Sequence, residues 1–384
     1  MTGVRIVKKV LILGNSKLTV FGFRGELIEK LVKQQYEVVT AFPNGPFGEG
    51  TKISQKYGCK FIEIEMDRRG TNPFGDLKLL KKYIDIIKKE KPDVVLAYTV
   101  KCDIYGGIAC RLLKVPFMPN ITGLGKGLTE GKATKKITKM LYRIGIKKSQ
   151  CVFFQNENDK KFFIGNKIKF KNSVVLPGSG VNLDKFQILP YPDDSIIRFV
   201  YVARIMKAKG IEQFLDAADE FKDNKNIEFH VCGFCEEDYK SIIEKKQNEK
   251  AIIYHGLVED VSIIEKDCHC LVLPSYHPEG ISNVLLEAAA MGRPILTTNR
   301  VGCKEAVIEN ITGYLIEEKN SEDLIEKINK FIKLTNDEKT KMGLEGRLEA
   351  GKHMYTANVR YPTFHDGAMQ FTKLIMSEDR KSVV

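Results

Sequence analysis

Tryptophan is absent from these 384 residues, and all six histidines (His230, His255, His269, His277, His353 and His365) fall after residue 190. The first half therefore has no imidazole to serve as a general base. No apolar run approaches the ~18 residues of a membrane-crossing helix. The opening "MTGVRIVKKVLILG" is basic and then apolar, like a secretion signal. Its apolar patch is short and no small-residue cleavage site follows, so it predicts a first β-strand. No strand-like run leads into G-x-G-x-x-G with an acid about 20 residues on, which argues against an NAD-dependent dehydrogenase. No acidic pair is spaced to hold a divalent metal. The nine cysteines are an odd set in a long chain, which argues for a reducing compartment. Cys232 with Cys235 ("CGFC") and Cys268 with Cys270 ("CHC") lie beside apolar, strand-like runs. C-x-C is poor zinc spacing, so they read as buried thiols.

Apolar residues make up 43% of the chain, enough for sizeable cores, and the net charge is +12. That charge is unevenly placed. Residues 1–190 hold 35 Lys+Arg against 16 Asp+Glu, and residues 191–384 hold 26 against 33. The first half is built to meet something anionic, and the second is not.

Strand-like runs alternate with helical patterns. "KVLILG" (9–14), "YEVVTAF" (36–42), "FIEIEM" (61–66), "PDVVLAY" (92–98), "PFMPNIT" (116–122) and "CVFFQN" (151–156) read as strands. Helices are predicted over 25–35, 75–91 and 103–114; in the second, Leu77, Leu80, Ile84 and Ile87 recur at helical spacing. "QILPYPDDSIIR" (187–198) interrupts this order with Pro and Asp. Strands then recur at 197–204, 227–233, 251–256, 268–274 and 294–298, between helices at 210–222, 236–247, 259–266, 282–291 and 321–334. The pattern predicts an α/β chain of two doubly wound, Rossmann-like domains, residues 1–190 and 191–350, with 351–384 as an atypical tail. Ligands in such sheets bind beyond the carboxyl ends of the strands. Two such domains facing each other would leave a cleft.

"LVLPSYHPEGISNVLLEAAAMG" (271–292) is a strand, a loop and a helix. Ser282 stands at the helix N-cap and Gly292 at its stop. A helix N-terminus attracts phosphate, and Gly280 lets backbone approach closely. Glu279 and Glu287 would repel phosphate but can accept hydrogen bonds from sugar hydroxyls. A nucleotide sugar carries both kinds of group. "VARIMKAKG" (202–210) follows the first strand of the second domain and brings Arg204 and Lys209 into one loop. Two cations there would stabilise a leaving diphosphate as its charge develops.

R-x4-K at Arg204 and Lys209, followed by E-x7-E at Glu279 and Glu287, resembles the retaining glycosyltransferases of family 4, fold type GT-B. The resemblance extends to about residue 348. It implies that Arg204 and Lys209 grip the donor diphosphate, that Glu279 contacts the donor hexose and that Glu287 binds the ribose. Gly280, Ile281, Ser282 and Asn283 would meet the phosphate or sugar, and Leu257 in "YHGLVED" (254–260) would face the base. Gly14 and Gly233, each ending a strand-like run, join the donor-binding set. "GNSKLTVFGFRGELIEKL" (14–31), "YTVKCDIYGGIACRLLKVPFMPNITGLGKGL" (98–128) and "QNENDKKFF" (155–163) are similar to a subgroup that extends undecaprenyl-diphosphate-linked glycans. Its members include capsule and O-antigen glycosyltransferases. There Arg24, Lys101, Thr122 and Gly123 would face the acceptor.

Residues 131–156 hold seven basic and no acidic residues. On a helix, Lys132, Lys135, Lys136, Lys139, Arg143 and Lys147 share about 120° of arc, and Ala133, Ile137, Met140 and Ile144 take the opposite side. That is the pattern of a helix lying on an anionic membrane surface. The expected function is transfer of a hexose or N-acetylhexosamine from a UDP-sugar to a polyprenyl-diphosphate-linked acceptor. It would proceed with retention, without a metal or other cofactor, on the inner face of a bacterial cytoplasmic membrane. No nucleic acid is expected as a partner. A catalytically silent membrane scaffold of the same fold is the alternative.

Overall fold

The computed structural model describes residues 9–44, 49–67, 72–129, 131–176, 178–258 and 260–359. The chain divides into two compact units between Ser179 and Gly180.

The first unit holds strands β1 (Lys9–Leu13), β2 (Glu37–Phe42), β3 (Lys60–Glu63), β4 (Val94–Tyr98), β5 (Phe117–Ile121), β6 (Val152–Phe154) and β7 (Ser173–Val175). They form one sheet in the order β3-β2-β1-β4-β5-β6-β7. Every pair in it is parallel. A parallel sheet is covered on both faces, so its central strands need apolar residues at successive positions rather than alternate ones. The run "VLIL" of β1 satisfies this: Val10 to Leu13 are all fully buried. One core gathers Leu11, Leu13, Val39, Val95 and Ala97 with Tyr83, Ile86 and Ile87 of the helix Pro73–Glu90.

In that helix Ile87 of the predicted apolar row is buried and Leu80 and Ile84 pack, half-buried, against this core, while Leu77 stands 62% exposed. Leu79, Tyr83 and Ile86 are also buried. The basic segment forms the helix Lys132–Gly145. Its buried residues are Thr138, Tyr142 and Gly145, not the row of Ala133, Ile137, Met140 and Ile144. Ile137 and Met140 are 55% and 51% exposed. Lys147 lies beyond the helix end and is exposed.

The second unit holds β8 (Ile197–Val202), β9 (Ile227–Cys232), β10 (Ile253–Gly256), β11 (Cys270–Leu273), β12 (Ile295–Thr298) and β13 (Gly313–Ile316). The order is β10-β9-β8-β11-β12-β13 and all pairs are parallel. Its core joins Phe199, Val200 and Tyr201 of β8 to Leu271, Val272 and Leu273 of β11, under Phe214 and Leu285. The edge strands β7 and β13 were not among the strands predicted from the sequence. Residues 180–190 belong with the second unit. Val181 and Phe186 pack on Leu286, Ala290 and Met291. The buried Arg293 guanidinium donates to the carbonyls of Leu189, Pro190, Glu265 and Lys266.

The segment expected to be an atypical tail begins inside a helix, Asn336–Val359. Its remainder, 360–384, lies outside the described residues. All nine cysteines are free, and seven are buried, Cys232, Cys268 and Cys270 among them.

Candidate active site

In the second unit the strand order turns back at β8 and β11, which are neighbours in the sheet although far apart in sequence. The loops that leave their carboxyl ends flank the switch point, the usual ligand site of such sheets. The loop after β8 carries Arg204 and Lys209. The loop after β11 carries Glu279. Gly210 has φ +75°, and a Cβ there would overlap the Pro274 carbonyl oxygen. A residue without a side chain is thus what lets the two loops close on each other.

Lys209 Nζ donates to Glu279 Oε1. Lys209 is only 9% exposed. Burial alone would push the Glu279 carboxyl up, but Lys209, His277 and Arg204 outweigh it and hold it below the usual carboxylate range. His277 Nδ1 stands 3.8 Å from Glu279 Oε1. Arg204 Nη1 donates to both carboxylate oxygens of Glu236, at 2.7 and 2.6 Å. Lys209 thus meets Glu279, with Arg204 near enough to act on that carboxyl; Glu287, the fourth residue expected in this group, is not among its partners. Glu236, which completes the group, was not singled out. Its signal is positional: it follows β9, the neighbour of β8, so the two loops emerge side by side.

The helix Asn283–Ala290 starts at this site, with Ser282 as N-cap residue. The Ser282 hydroxyl makes no capping bond, but its N–H donates to the Gly302 carbonyl at 2.8 Å. Gly292, at φ +74°, ends the helix, and Arg293 N–H returns to the Ala288 carbonyl at 2.9 Å. Gly280 is buried and Asn283 half-buried. Ile281 packs against the small core of Val181, Phe186 and Leu286. Glu287 lies further along the helix, and burial raises its carboxyl from 4.5 to about 7 against the pull of Lys185. The fully buried Glu265, with no hydrogen-bond partner for either oxygen, is pushed well above the usual range by burial and by Glu287. Leu257, 58% exposed, follows β10. Gly233 follows β9, its N–H on the Gly256 carbonyl at 2.7 Å. At φ +147° any Cβ on Gly233 would overlap the Ala203 carbonyl oxygen.

In the first unit the strand order turns between β1 and β4. Gly14 ends β1, its N–H on the Ala41 carbonyl at 3.1 Å, and a Cβ would overlap Val20. Lys101 Nζ donates to Asp76 Oδ1 at 2.6 Å, and Tyr105 Oη to Asp76 Oδ2 at 2.8 Å. Asp76 and Tyr105 escaped the sequence reading. Arg24 is 5% exposed, lies 4.3 Å over the Tyr98 ring and donates to the Thr19 carbonyl. It is built into the unit rather than spread on its surface. Thr122 and Gly123 are half-buried, and Gly123 has φ +129°. Lys132, Lys136 and Arg143 are exposed, while Lys135 and Lys139 lie 5.6 Å from the Phe162 ring. Among the described residues no group of three His, Cys, Asp or Glu is placed to hold a metal ion.

Two family models match this chain: a glycosyl transferase 4-like domain over residues 9–156 and the glycosyl transferases group 1 over residues 184–348. A Campylobacter jejuni protein, N,N'-diacetylbacillosaminyl-diphospho-undecaprenol alpha-1,3-N-acetylgalactosaminyltransferase, is 26% identical over 374 residues, covering 92% of this chain and 97% of its own. An Escherichia coli UDP-Gal:alpha-D-GlcNAc-diphosphoundecaprenol alpha-1,3-galactosyltransferase is 28% identical, covering 70% and 73%. Among solved structures, Anabaena Alr3699/HepE in complex with UDP and glucose superposes with a TM-score of 0.74 at 15% identity, covering 92% of this chain and 98% of that one. The two parallel sheets and this likeness establish the GT-B fold.

Proposed function

We propose that this glycosyltransferase, which belongs to the group 1 and 4-like families, moves a hexose or N-acetylhexosamine from a UDP-sugar to a polyprenyl-diphosphate-linked glycan, with retention. The observation that carries the proposal is the convergence of Arg204, Lys209 and Glu279 at the β8–β11 switch point. Two cations there suit a diphosphate, and a carboxylate beside them suits sugar hydroxyls. Leu257 offers an exposed apolar surface to a base, and Glu287 an acceptor to ribose hydroxyls. The acceptor reading rests on the Campylobacter and E. coli relatives, whose names place their sugars on undecaprenyl-diphosphate glycans. UDP as carrier is supported by the E. coli relative's name and by the UDP bound to HepE.

In this mechanism the leaving diphosphate takes the negative charge that develops as the glycosidic bond breaks. Arg204 and Lys209 stabilise that charge, so the reaction needs no metal. The acceptor hydroxyl attacks from the same face and gives its proton to the departing phosphate as the sugar–phosphate bond breaks. The protein contributes positioning and electrostatics rather than a covalent intermediate.

The protein works at the inner face of a bacterial cytoplasmic membrane. No described helix is long and apolar enough to cross one. The helix Lys132–Gly145 instead presents Lys132, Lys136 and Arg143 beside the exposed Ile137 and Met140. Basic groups meet anionic headgroups while the apolar side chains enter the interface.

The test offers the purified protein a panel of UDP-sugars with a lipid-diphosphate glycan, and product mass is read by mass spectrometry. A mass increase of one sugar with one UDP-sugar is expected. No product with any UDP-sugar, and no rise in melting temperature with UDP, would reject the reading.

A further inference from the structure

We propose that Glu236 is a positioning residue for the donor diphosphate, acting on donor binding only through Arg204. This deepens the donor-site reading and rests on it.

Arg204 lies on an irregular stretch after β8, and its side chain is 34% exposed. A free arginine in that setting would sample many rotamers, and ordering it on binding opposes affinity. Glu236 removes that freedom beforehand. Its side chain is only 7% exposed, and both its oxygens accept from Arg204 Nη1.

The support beneath Glu236 is rigid. Ile205 N–H donates to the Phe234 carbonyl at 2.9 Å, and Glu236 N–H returns to the Ile205 carbonyl at 3.0 Å. Ile205 and Cys235 thus form a β-bridge beyond the ends of β8 and β9. Lys207 N–H donates to Glu237 Oε2 at 2.8 Å, and Tyr239 Oη to Glu212 Oε1 at 2.8 Å. Gly233 seats the start of this loop against Ala203. The backbone that carries Glu236 is therefore hydrogen-bonded to the stretch that carries Arg204. Lys209 has its own carboxylate in Glu279, on a different loop. Arg204 is paired with Glu236 and Lys209 with Glu279, and of the two acids Glu236 is the one without an assigned role.

A carboxylate beside an arginine has two opposite consequences. As a positioner it presets the guanidinium, and its loss weakens the donor. As a competing anion it blocks the guanidinium, and its loss tightens the donor. Burial of Glu236 and its fixed backbone favour the first, because a competitor must leave when the donor arrives.

The test is UDP binding by titration calorimetry to the full chain, using wild type, Glu236→Gln, Glu236→Asp, Arg204→Ala and the Arg204→Ala/Glu236→Gln double variant. Glu236→Gln is expected to weaken UDP about 10-fold, with Glu236→Asp recovering part of the loss. In the Arg204→Ala background the same Gln substitution is expected to change nothing. Unchanged or tighter UDP binding by Glu236→Gln overturns the proposal. So does an equal loss in both backgrounds, which would mark Glu236 as a purely structural residue. Failure of the wild type to bind UDP sinks the donor reading itself, and this proposal with it.

Discussion

Lys209 and Glu279 form a largely buried ion pair although 70 positions separate them in the chain. Burial works against the Glu279 carboxylate, and Lys209, with His277 and Arg204, outweighs that cost.

Lys209→Ala is expected to lower turnover by about 100-fold to 1,000-fold, the usual effect of removing one group that stabilises developing charge. It also strands the Glu279 carboxylate, at a cost of about 3–5 kcal/mol. Lys209→Ala/Glu279→Gln should regain stability without regaining activity. Thermal melts and a radiolabelled-sugar assay separate the two effects, and normal turnover by Lys209→Ala would remove the residue from the mechanism.

Glu287 gives the stability a pH signature. Its folded value, about 7, lies above its ordinary 4.5 because burial disfavours the charge. The folded state therefore keeps a proton that the unfolded chain releases. The stability this lends is fully present below pH 4.5 and lost as pH rises to about 7, an effect of about 3 kcal/mol. Glu287→Gln should flatten that part of the curve in urea titrations at pH 5, 6, 7 and 8. Identical slopes for both proteins would refute the assignment.

Gly210→Ala tests the closure of the two site loops. The left-handed backbone costs an alanine about 1 kcal/mol, and the overlap with the Pro274 carbonyl adds strain. A total loss of about 2 kcal/mol or more is expected in denaturant unfolding, with weaker UDP binding. A variant as stable as the wild type would show that the loops do not depend on this approach.

The face of the helix Lys132–Gly145 can be dissected by vesicle sedimentation. Neutralising Lys132, Lys136 and Arg143 should abolish the preference for anionic over neutral vesicles, at about 1 kcal/mol for each charge. Ile137→Ser/Met140→Ser should weaken binding to both kinds. Unchanged sedimentation for both variants would reject membrane docking by this helix.

Arg204, Lys209, Glu279 and Glu287 were visible in the sequence as candidates because their settings are local. Arg204 and Lys209 share one loop, Glu279 and Glu287 flank one helix start, and the roles expected of them came from the family resemblance. Glu236, Asp76 and Glu265 escaped because their importance lies in a neighbour from another part of the chain. The same limit hid the core-facing side of the basic helix. Its lysines and its apolar row were both visible, but the side that meets the core, Thr138, Tyr142 and Gly145, is neither.

Alternating strand and helix patterns, and the residue types at each strand end, were settled by the order of amino acids alone, since hydrophobic period and backbone preference act over a few residues. Which strands became neighbours was decided only in three dimensions. The adjacency of β8, β9 and β11 brings Arg204 to Glu236 and Lys209 to Glu279, and it depends on how the whole sheet buries its two faces.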